Sequence, residues 1–324
     1  MTEIDVEIIV AQYSHVHKHV WDSFVDNSKN GHFMFKRDYM EYHCDRFVDN
    51  SLMFFRKNKL VAILPANKTD GEILHSHQGL TFGGLISNKD MKVELMLSIF
   101  DSLKKYLNDH KIKEFYYKRI PSIYHKLPSD EDKYALFRLG ADLWRCDISS
   151  TVILSKRIKY SDSRKSIITR AKKNGVEISE SKDYAAYWEM LNKVIEERHG
   201  AKPVHSLAEM ILLEKRFPKN IKLYLAHFEG KCIAGAVFYC TEETIHTQYL
   251  ATSDFGRQIG ALDYLLDEVM TNSIGTYTYF DFGTSNEDDG TAINAGLIFQ
   301  KEGFGGRGIV HEFYKWGKTN NVNL

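Results

Sequence analysis

The stretch "DFGTSNEDDGTAINAGLIFQKEGFGGRGIVHEFYKW", residues 281–316, contains four successive local patterns. They indicate the end of an apolar strand, an acidic turn, an amphipathic helix over 291–302 and, after a glycine break, a strand over 308–316. The same order recurs in "DEDKYALFRLGADLWRCDISSTVIL", residues 130–154. Recurrence of such a pattern predicts that the chain holds two copies of one α/β module.

Elements that precede the two stretches also match in order. "SLMFFRKNKLVAILPA" at 51–66 corresponds to "IKLYLAHFEGKCIAGAVFY" at 221–239, and each contains two strand-like runs. An amphipathic helix then follows in both halves, at 93–110 and after Gly260. The match predicts a duplication, and two unrelated α/β halves are the alternative.

We therefore expect an α/β fold of two mixed-sheet modules, residues 1–153 and 154–324. Within the match, Gly140 takes the place of Gly303, so Arg138 takes the place of Lys301. Glycine- and charge-rich loops gather in the second module. This distribution predicts an active C-terminal module and a degenerate N-terminal one.

Composition excludes several classes of protein. The chain has 324 residues, of which 43% are hydrophobic and 27% are charged, so it is globular rather than disordered. Its formal net charge is +0, so no global field attracts it to DNA or to an anionic surface. No apolar run approaches the ~20 residues of a membrane span. The acidic start, "MTEIDVEIIV", is unlike a signal peptide and predicts a cytoplasmic protein.

The cysteines and histidines predict no metal site. No CxxC pair occurs, and each cysteine lies in or beside an apolar run, which predicts four small buried hydrophobic residues: Cys44, Cys146, Cys232 and Cys240. His246 and His311 lie on predicted strands, where a structural role is the expectation. No GxSxG motif indicates a serine hydrolase.

Three helices are predicted at the start of the second module. "SDSRKSIITRAKKNG" has Ser163 as its expected N-cap, and "DYAAYWEMLNKVIEERHG" is amphipathic and ends at Gly200. "HSLAEMILLEKRFP" has Ser206 and Glu209 at the spacing of a capping box. Three strand-like runs follow, with Gly230 and the next residue, a lysine, as a hairpin turn.

The motif "GRQIGA" at 256–261 lies between an apolar strand and an amphipathic helix. A glycine turn at a helix N-terminus presents backbone N–H groups that suit a pyrophosphate. Arg257 adds a cation beside them. An ordinary strand-to-helix turn is the alternative.

This order of elements resembles the GNAT acyltransferase superfamily, whose turn has the form [QR]-x-x-G-x-[GA]. "RQIGAL" matches the form at Arg257 and Gly260 and departs from it at Leu262. The resemblance implies acyl-CoA as co-substrate, without a metal, held by Arg257, Gly260 and Ala261.

The duplication resembles a narrower group, the Fem-type peptidyltransferases, which use aminoacyl-tRNA, and the related acyltransferase-like proteins of cell-surface polysaccharide clusters. "RKSIITRAKKNGVEI", "PVHSLAEM" and "QKEGFGG…VHEFY" carry that likeness over most of 155–316. In Fem-type enzymes a similar lysine stabilises the reacting centre, and Lys301 matches its position. Gln300 departs from the phenylalanine usual there.

Acyl transfer to an amine needs a base, a polarised carbonyl and a neutralised leaving group. Asp281 ends a strand where this fold opens, so it is a candidate base or amine anchor, with capping of the acidic turn as the alternative. Tyr249 faces core or cleft. His205 lies in the loop where this fold lines the acceptor site, or it supports the Ser206 cap.

Basic residues cluster in "SRKSIITRAKK". They predict contacts to phosphates of a donor, with a solvated helix face as the alternative, and Arg164 and Arg170 are the proposed ligands: the set is Arg164, Lys165, Arg170, Lys172 and Lys173. The lack of interleaved aromatic residues argues against a nucleic-acid stacking surface.

The leading hypothesis is an N-acyltransferase that uses an acyl-CoA thioester. Its acceptor is the amine of a sugar, an amino acid or a cell-envelope precursor. Aminoacyl-tRNA-dependent peptidyl transfer and a non-catalytic binding module are the alternatives. Lys301 is expected to point into the cleft as an exposed side chain, so Lys301→Ala should lower turnover and leave the melting temperature nearly unchanged. Arg138→Ala should leave turnover intact.

Overall fold

The computed structural model describes residues 7–317, apart from the side chains of residues 198 and 199. Among these residues, one compact unit runs to Asp147 and resumes at Val310, and the other spans Ile148–Ile309. We call them unit 1 and unit 2. The first division between the units lies a few residues before the domain boundary expected after residue 153. That boundary stays a prediction.

Unit 1 begins with strands and short helices and has a long helix at its centre. Its helices are α1 (Lys18–Asn27), α2 (Arg37–Met40), α3 (Val93–Asp109) and α4 (Glu131–Leu139). Its strands are β1 (Ile8–Gln12), β2 (Val48–Asp49), β3 (Leu52–Arg56), β4 (Lys59–Leu64), β5 (Asn67–Thr69), β6 (Ile73–His75), β7 (Ile86–Ser87) and β8 (Glu114–Lys118). Strands β1, β3, β4 and β7 pair in that order.

Two long strands are divided between the units. Strand β9 (Asp142–Ile153) follows α4, and its residues from Ile148 onward belong to unit 2. The last strand of the described chain, Arg307–Gly317, gives its residues from Val310 onward to unit 1. There Phe313 pairs with Lys118 of β8.

Unit 2 is built on one mixed sheet. Its helices are α5 (Asp162–Lys173), α6 (Tyr184–His199), α7 (Leu207–Arg216), α8 (Asp254–Ile259), α9 (Ala261–Asn272) and α10 (Ala295–Gly303). Its strands are β10 (Glu177–Ser181), β11 (Ile221–Phe228), β12 (Lys231–Cys240), β13 (Thr244–Thr252), β14 (Tyr279–Thr284), β15 (Asn286–Glu287) and β16 (Ala292–Ile293), and β17 is Arg307–Gly317. The sheet order within unit 2 is β10-β11-β12-β13-β14-β9.

The sheet of unit 2 has two different faces. One face packs on α5 and α9 through a core that includes Ile168, Leu265 and Phe280. The other face packs on α6, where the ring of Tyr187 lies against Gly235 of β12 so closely that a Cβ there would stand 2.6 Å from it. The apolar residues of each helix alternate with polar ones at helical spacing, and burial of this stripe stabilises the helix.

Local sequence signals placed most elements and missed some details. The capping box of Ser206 and Glu209 is present, but Ser161 rather than Ser163 caps α5. The hairpin turn is Glu229–Gly230, which both have positive φ, so the turn begins one residue earlier than expected. Cys44 and Cys146 are exposed, which corrects the expectation that all four cysteines are buried.

The helix expected over 291–302 is preceded by a small hairpin and starts at Ala295. The side-chain amide of Asn286 donates to the carbonyls of Gly290 and Ala292 and closes the β15–β16 turn. Asn294 then caps α10 by accepting the N–H of Leu297 at 3.0 Å. Hydrogen bonding by short amide side chains therefore replaces the first helical turn.

The helix ends of the two units align through an identical turn. In unit 1, Gly140 donates to Phe137 and Ala141 donates to Leu136; in unit 2, Gly305 donates to Glu302 and Gly306 donates to Lys301. Both turns have a left-handed glycine, Gly140 and Gly305. Gly140 therefore corresponds to Gly305 and not to Gly303, so the counterpart of Lys301 is the buried Leu136, whereas Arg138 is exposed.

Candidate functional site

Strands β13 and β14 separate at one point in the sheet of unit 2. Their parallel pairing ends at His246 and Asp281. Beyond it, Gly283 takes a φ of 74° and β14 shifts its register against β9. Glycine permits this left-handed bend, so the two strands open from each other directly after the His246–Asp281 pair.

Asp281 and His246 form a hydrogen-bonded dyad at this opening. Asp281 is fully buried, and its Oδ2 lies 2.8 Å from Nδ1 of His246. Its Oδ1 accepts hydrogen bonds from the hydroxyls of Ser149 and Thr151, the latter at 2.8 Å. A buried carboxylate is tolerated when several donors satisfy it, so this shell fits an ionised Asp281.

A β-bulge in β13 brings Tyr249 to the same face as His246. Tyr239 of β12 pairs with His246 and Val237 pairs with Tyr249, with the register shift between them. Val237 and Tyr239 are two residues apart on β12, so they point to the same face, about 7 Å from each other. Their partners Tyr249 and His246 therefore also share that face. Without the extra residue at Gln248, Tyr249 would point to the opposite face.

Tyr249 is joined to the loop that precedes α7. Its hydroxyl lies 2.6 Å from Nδ1 of His205 and accepts the backbone N–H of His205 at 3.2 Å. Trp188 of α6 donates its indole N–H to the His205 carbonyl at 3.2 Å. Burial raises the pKa of Tyr249 to about 12, so its hydroxyl keeps its proton at neutral pH. The structure thus brings the predicted site residues Tyr249 and His205 together.

Lys301 is buried, which corrects the expectation of an exposed side chain. Its Nζ donates to the carbonyls of Gly283 and Thr284 and to the hydroxyl of Ser285 at 2.8–2.9 Å. Burial lowers its pKa to about 8, and the charge of Asp281 opposes that shift in part. Three bonds use all three donors of an ammonium group. Lys301 therefore holds the end of β14, next to the dyad.

The predicted pyrophosphate turn has a different local structure. Residues Asp254–Ile259 form the short helix α8, capped by Ser253, and Gly260 joins it to α9. The N–H of Gly256 bonds to Ser253 Oγ at 3.0 Å, and that of Gly260 bonds to the Gly256 carbonyl at 2.9 Å. No side chain caps the N-terminus of α9, which begins directly after Gly260, so a pyrophosphate site at this helix end stays a prediction.

The other predicted ligands of this turn differ in burial. A Cβ at Gly260 would lie 2.5 Å from Ile167, so this glycine makes room for a core side chain. Ala261 is fully buried, and Arg257 is half-exposed at 52%, 3.5 Å from Asp254. The role of this turn in binding the CoA pyrophosphate therefore stays a prediction.

The predicted basic ligands on α5 have separate roles. Arg164 is buried, forms an ion pair with Asp263 of α9 and lies over the ring of Phe304 at 4.6 Å. It joins α5 to α9 and is not directed to a donor phosphate, which corrects that interpretation. Arg170 is exposed.

His246 was expected to have only a structural role, because a histidine on a strand gives no local signal of function. Its partner Asp281 lies on a different strand, 35 positions later in the chain. A comparison of the two repeats could have found it. The parallel pairs β6–β8 and β13–β14 each have a histidine at their third position, His75 and His246.

Two negative findings concern the described part of the chain. Within residues 7–317 no group of three or more histidine, cysteine or acidic side chains is placed to hold a metal ion. No helix among those residues combines the length and apolar character that crossing a membrane requires.

Comparisons with known proteins agree on the fold. Residues 161–289 match the family model of the acetyltransferase (GNAT) domain. FemX superposes with a TM-score of 0.69 at 12% identity, covering 96% of this chain and 97% of FemX. L-PGS from Bacillus licheniformis gives 0.62 at 14% identity, covering 94% of this chain and 93% of that chain.

A tandem GNAT protein from the clavulanic acid biosynthesis pathway gives a TM-score of 0.52 at 11% identity, covering 97% of this chain and 100% of that chain. No curated protein sequence matches. These likenesses confirm the predicted α/β fold of two GNAT-like modules. Residues 161–289 therefore match the GNAT acetyltransferase domain model, in a chain whose tandem fold is similar to that of FemX.

Proposed function

We propose that unit 2 transfers an acyl group to an amine and that the Asp281–His246 dyad is its base. The GNAT domain supports acyl transfer in general. The observation that carries the proposal is the buried Asp281 carboxylate, which holds Nδ1 of His246 at 2.8 Å where two strands separate.

In this mechanism the carboxylate of Asp281 fixes the tautomer of His246. Nδ1 carries the proton that it donates to Asp281, so Nε2 is the basic nitrogen. Nε2 takes a proton from the attacking amine while the amine nitrogen bonds to the acyl carbon. The resulting imidazolium, stabilised by Asp281, returns the proton to the leaving heteroatom as the bond from the acyl carbon to the donor breaks.

Lys301 acts in this proposal as a positioning residue. Its bonds to Gly283, Thr284 and Ser285 fix the end of β14, where Asp281 lies. The expected direct contact to the acyl oxygen would require Lys301 to give up one of these bonds. A fixed strand end keeps the carboxylate within hydrogen-bond reach of His246, and such preorganisation lowers the barrier.

The acceptor amine approaches from the face that carries His246 and Tyr249. Tyr249 and His205 lie at the border of this face, and Tyr249 is about 7 Å from His246 along the strand. The neutral hydroxyl of Tyr249 suits an uncharged polar group of an acceptor such as a sugar, an amino acid or an envelope precursor. The acceptor itself is left to the assay.

The donor has two candidates. GNAT domains in general bind acyl-CoA, and this remains the first candidate. The N-terminus of α9, which no side chain caps, is where a CoA pyrophosphate would lie. An aminoacyl ester of tRNA, which the Fem-type resemblance implies, is the second candidate.

The test compares both donors in one transfer assay. The chain is incubated with acetyl-CoA that carries a radiolabelled acetyl group, or with tRNA charged with radiolabelled amino acids, and with glucosamine, lysine and a lysine dipeptide as acceptors. We expect labelled amide with one donor, and its loss in His246→Gln. Bound donor also raises the melting temperature, since a ligand at ~100 times its dissociation constant adds ~2.7 kcal/mol of stability. Transfer that persists in His246→Gln contradicts the proposed base.

A further inference from the structure

Unit 1 presents a strip of aromatic side chains on the sheet face opposite its core. We define the aromatic strip as His75, Tyr116, Trp144 and Phe313. Residues that alternate with them on the strands, such as Phe115 and Tyr314, belong to the buried core. Alternation along a strand directs successive side chains to opposite faces, so the strip lies on the non-core face of the strands.

The rings form a continuous row across the strands of unit 1. His75 stacks on Tyr116 with ring centroids 5.1 Å apart and 14° between the ring planes. Trp144 meets Tyr116 edge-on at 5.6 Å and Phe313 at 6.4 Å. Trp144 is 44% exposed, so solvent reaches its indole. Exposed aromatic surface in a row of this kind is typical of a binding site.

The charged groups beside the strip neutralise one another. Lys315 lies 3.0 Å from Glu114, and its Nζ is 5.1 Å from the centre of the Tyr116 ring. Tyr116 donates its hydroxyl proton to Glu114 at 2.8 Å. The hydrogen bond from Lys315, which has the largest effect, and the one from Tyr116 hold the pKa of Glu114 below its ordinary value. The pair is therefore ionised and neutral in sum at physiological pH.

The two ends of the strip carry different groups. Arg145 lies over the Phe313 ring at 4.9 Å and pairs with Asp147 through two bonds of 3.0 and 2.8 Å. At the other end, burial lowers the pKa of His75, so its ring is uncharged at neutral pH. Platforms that stack nucleic-acid bases combine rings with a positively charged groove. Lys118, on the same face of β8 as Tyr116, donates its Nζ to the carbonyls of Gln78 and Leu80 at 3.1 and 2.8 Å. One such ammonium group beside paired charges does not make the positively charged groove that a polyanion needs.

We propose that the aromatic strip binds the sugar ring of a neutral carbohydrate. The C–H groups on one side of a pyranose ring carry partial positive charge, and the face of an aromatic ring carries partial negative charge, so the two stack. Glu114 and Arg145 supply hydrogen-bond acceptors and donors for the hydroxyls at the edge of the sugar. The site does not depend on the acyl transfer proposed for unit 2.

The test is saturation-transfer NMR of the full chain with chitotetraose and with cellotetraose. We expect transfer to the sugar ring protons with at least one of them. Trp144→Ala should weaken binding at least ~10-fold, which corresponds to about 1.4 kcal/mol. Phe137→Ala is the matched control, because Phe137 is an exposed aromatic residue of unit 1 (75%) outside the strip. His246→Gln should bind the sugar as the wild type does.

Three results would overturn the proposal. The first is no transfer to either tetrasaccharide. The second is an equal loss of binding in Trp144→Ala and Phe137→Ala. The third is a single-stranded oligonucleotide that binds through Trp144 and displaces the sugar, which would make the strip a nucleic-acid platform. Melting curves of both variants check that each is folded.

Discussion

The two units place different chemistry at the same positions of one backbone. Each has a parallel ladder of three pairs, and the third pair is His75–Tyr116 in unit 1 and His246–Asp281 in unit 2. In unit 1 the histidine stacks on a ring, and in unit 2 it bonds to a buried carboxylate. The repeat therefore keeps a histidine at one position, and the residue paired with it decides whether it stacks on a ring or bonds to the carboxylate of the proposed base.

The largest expected difference between the units is in turnover. His246→Gln removes the basic nitrogen and should lower turnover by about 10²–10⁴-fold, the usual contribution of a general base. His75→Gln should leave turnover unchanged, because Tyr116 gives His75 no carboxylate partner. Steady-state rates of both variants with the active donor decide this. If His75→Gln is the damaging change, the active site lies in unit 1.

The next comparison is between two basic residues in the last turns of α10 and α4, the buried Lys301 and the exposed Arg138. Lys301→Met should cost about 3 kcal/mol of unfolding free energy, because it leaves buried carbonyl and hydroxyl oxygens without a donor. Arg138→Ala should cost less than about 0.5 kcal/mol. Urea denaturation measures both, and an unchanged midpoint for Lys301→Met would contradict the positioning role.

A smaller difference is expected between the two left-handed glycines. Both have positive φ, so alanine is strained at either site. At Gly305 a Cβ would also meet the Ile158 carbonyl at 2.9 Å, whereas nothing lies within 4 Å at Gly140. We expect Gly305→Ala to cost about 1–2 kcal/mol more than Gly140→Ala. Equal losses would show that Ile158 moves away freely.

The smallest expected effect is on the pH dependence of stability. Burial lowers the pKa of Lys301 to about 8, whereas a lysine in the unfolded chain has its ordinary pKa of 10.5. Between these values the unfolded state binds more protons than the folded state, so the wild type gains stability as pH rises. The difference in unfolding free energy between the wild type and Lys301→Met should widen from pH 8 to 9 by about 1 kcal/mol. A constant gap in urea titrations would contradict it.

Local patterns in the sequence predicted the elements well and their partners poorly. The capping box at Ser206 and the strands of unit 2 were predicted because their signals lie within a few residues. The register of Gly140 against Gly305 was wrong by two residues, since helix-end geometry follows hydrogen bonds rather than spacing alone. A glycine turn was expected where α8 lies, because a short helix has no periodicity to detect.

The candidate site was predicted in part for the same reason. Asp281, Tyr249 and His205 were named from the resemblance, and the structure places Tyr249 beside His205. His246 was missed because its function depends on Asp281 from another strand. Arg164 was misassigned, since sequence shows its charge but not its ion pair with Asp263. Contacts between distant residues are what a local pattern cannot show.

The divided last strand has a consequence for synthesis on the ribosome. Residues from Val310 onward belong to unit 1, and Phe313 pairs with Lys118 of a strand made much earlier. At ~5–20 residues per second, the ribosome needs roughly 10–40 seconds to make the chain between these partners. During that time β8 has an unpaired edge, which is prone to pair with other chains. Unit 1, although synthesised first, is therefore the last to complete its sheet and the one that a chaperone has most reason to protect.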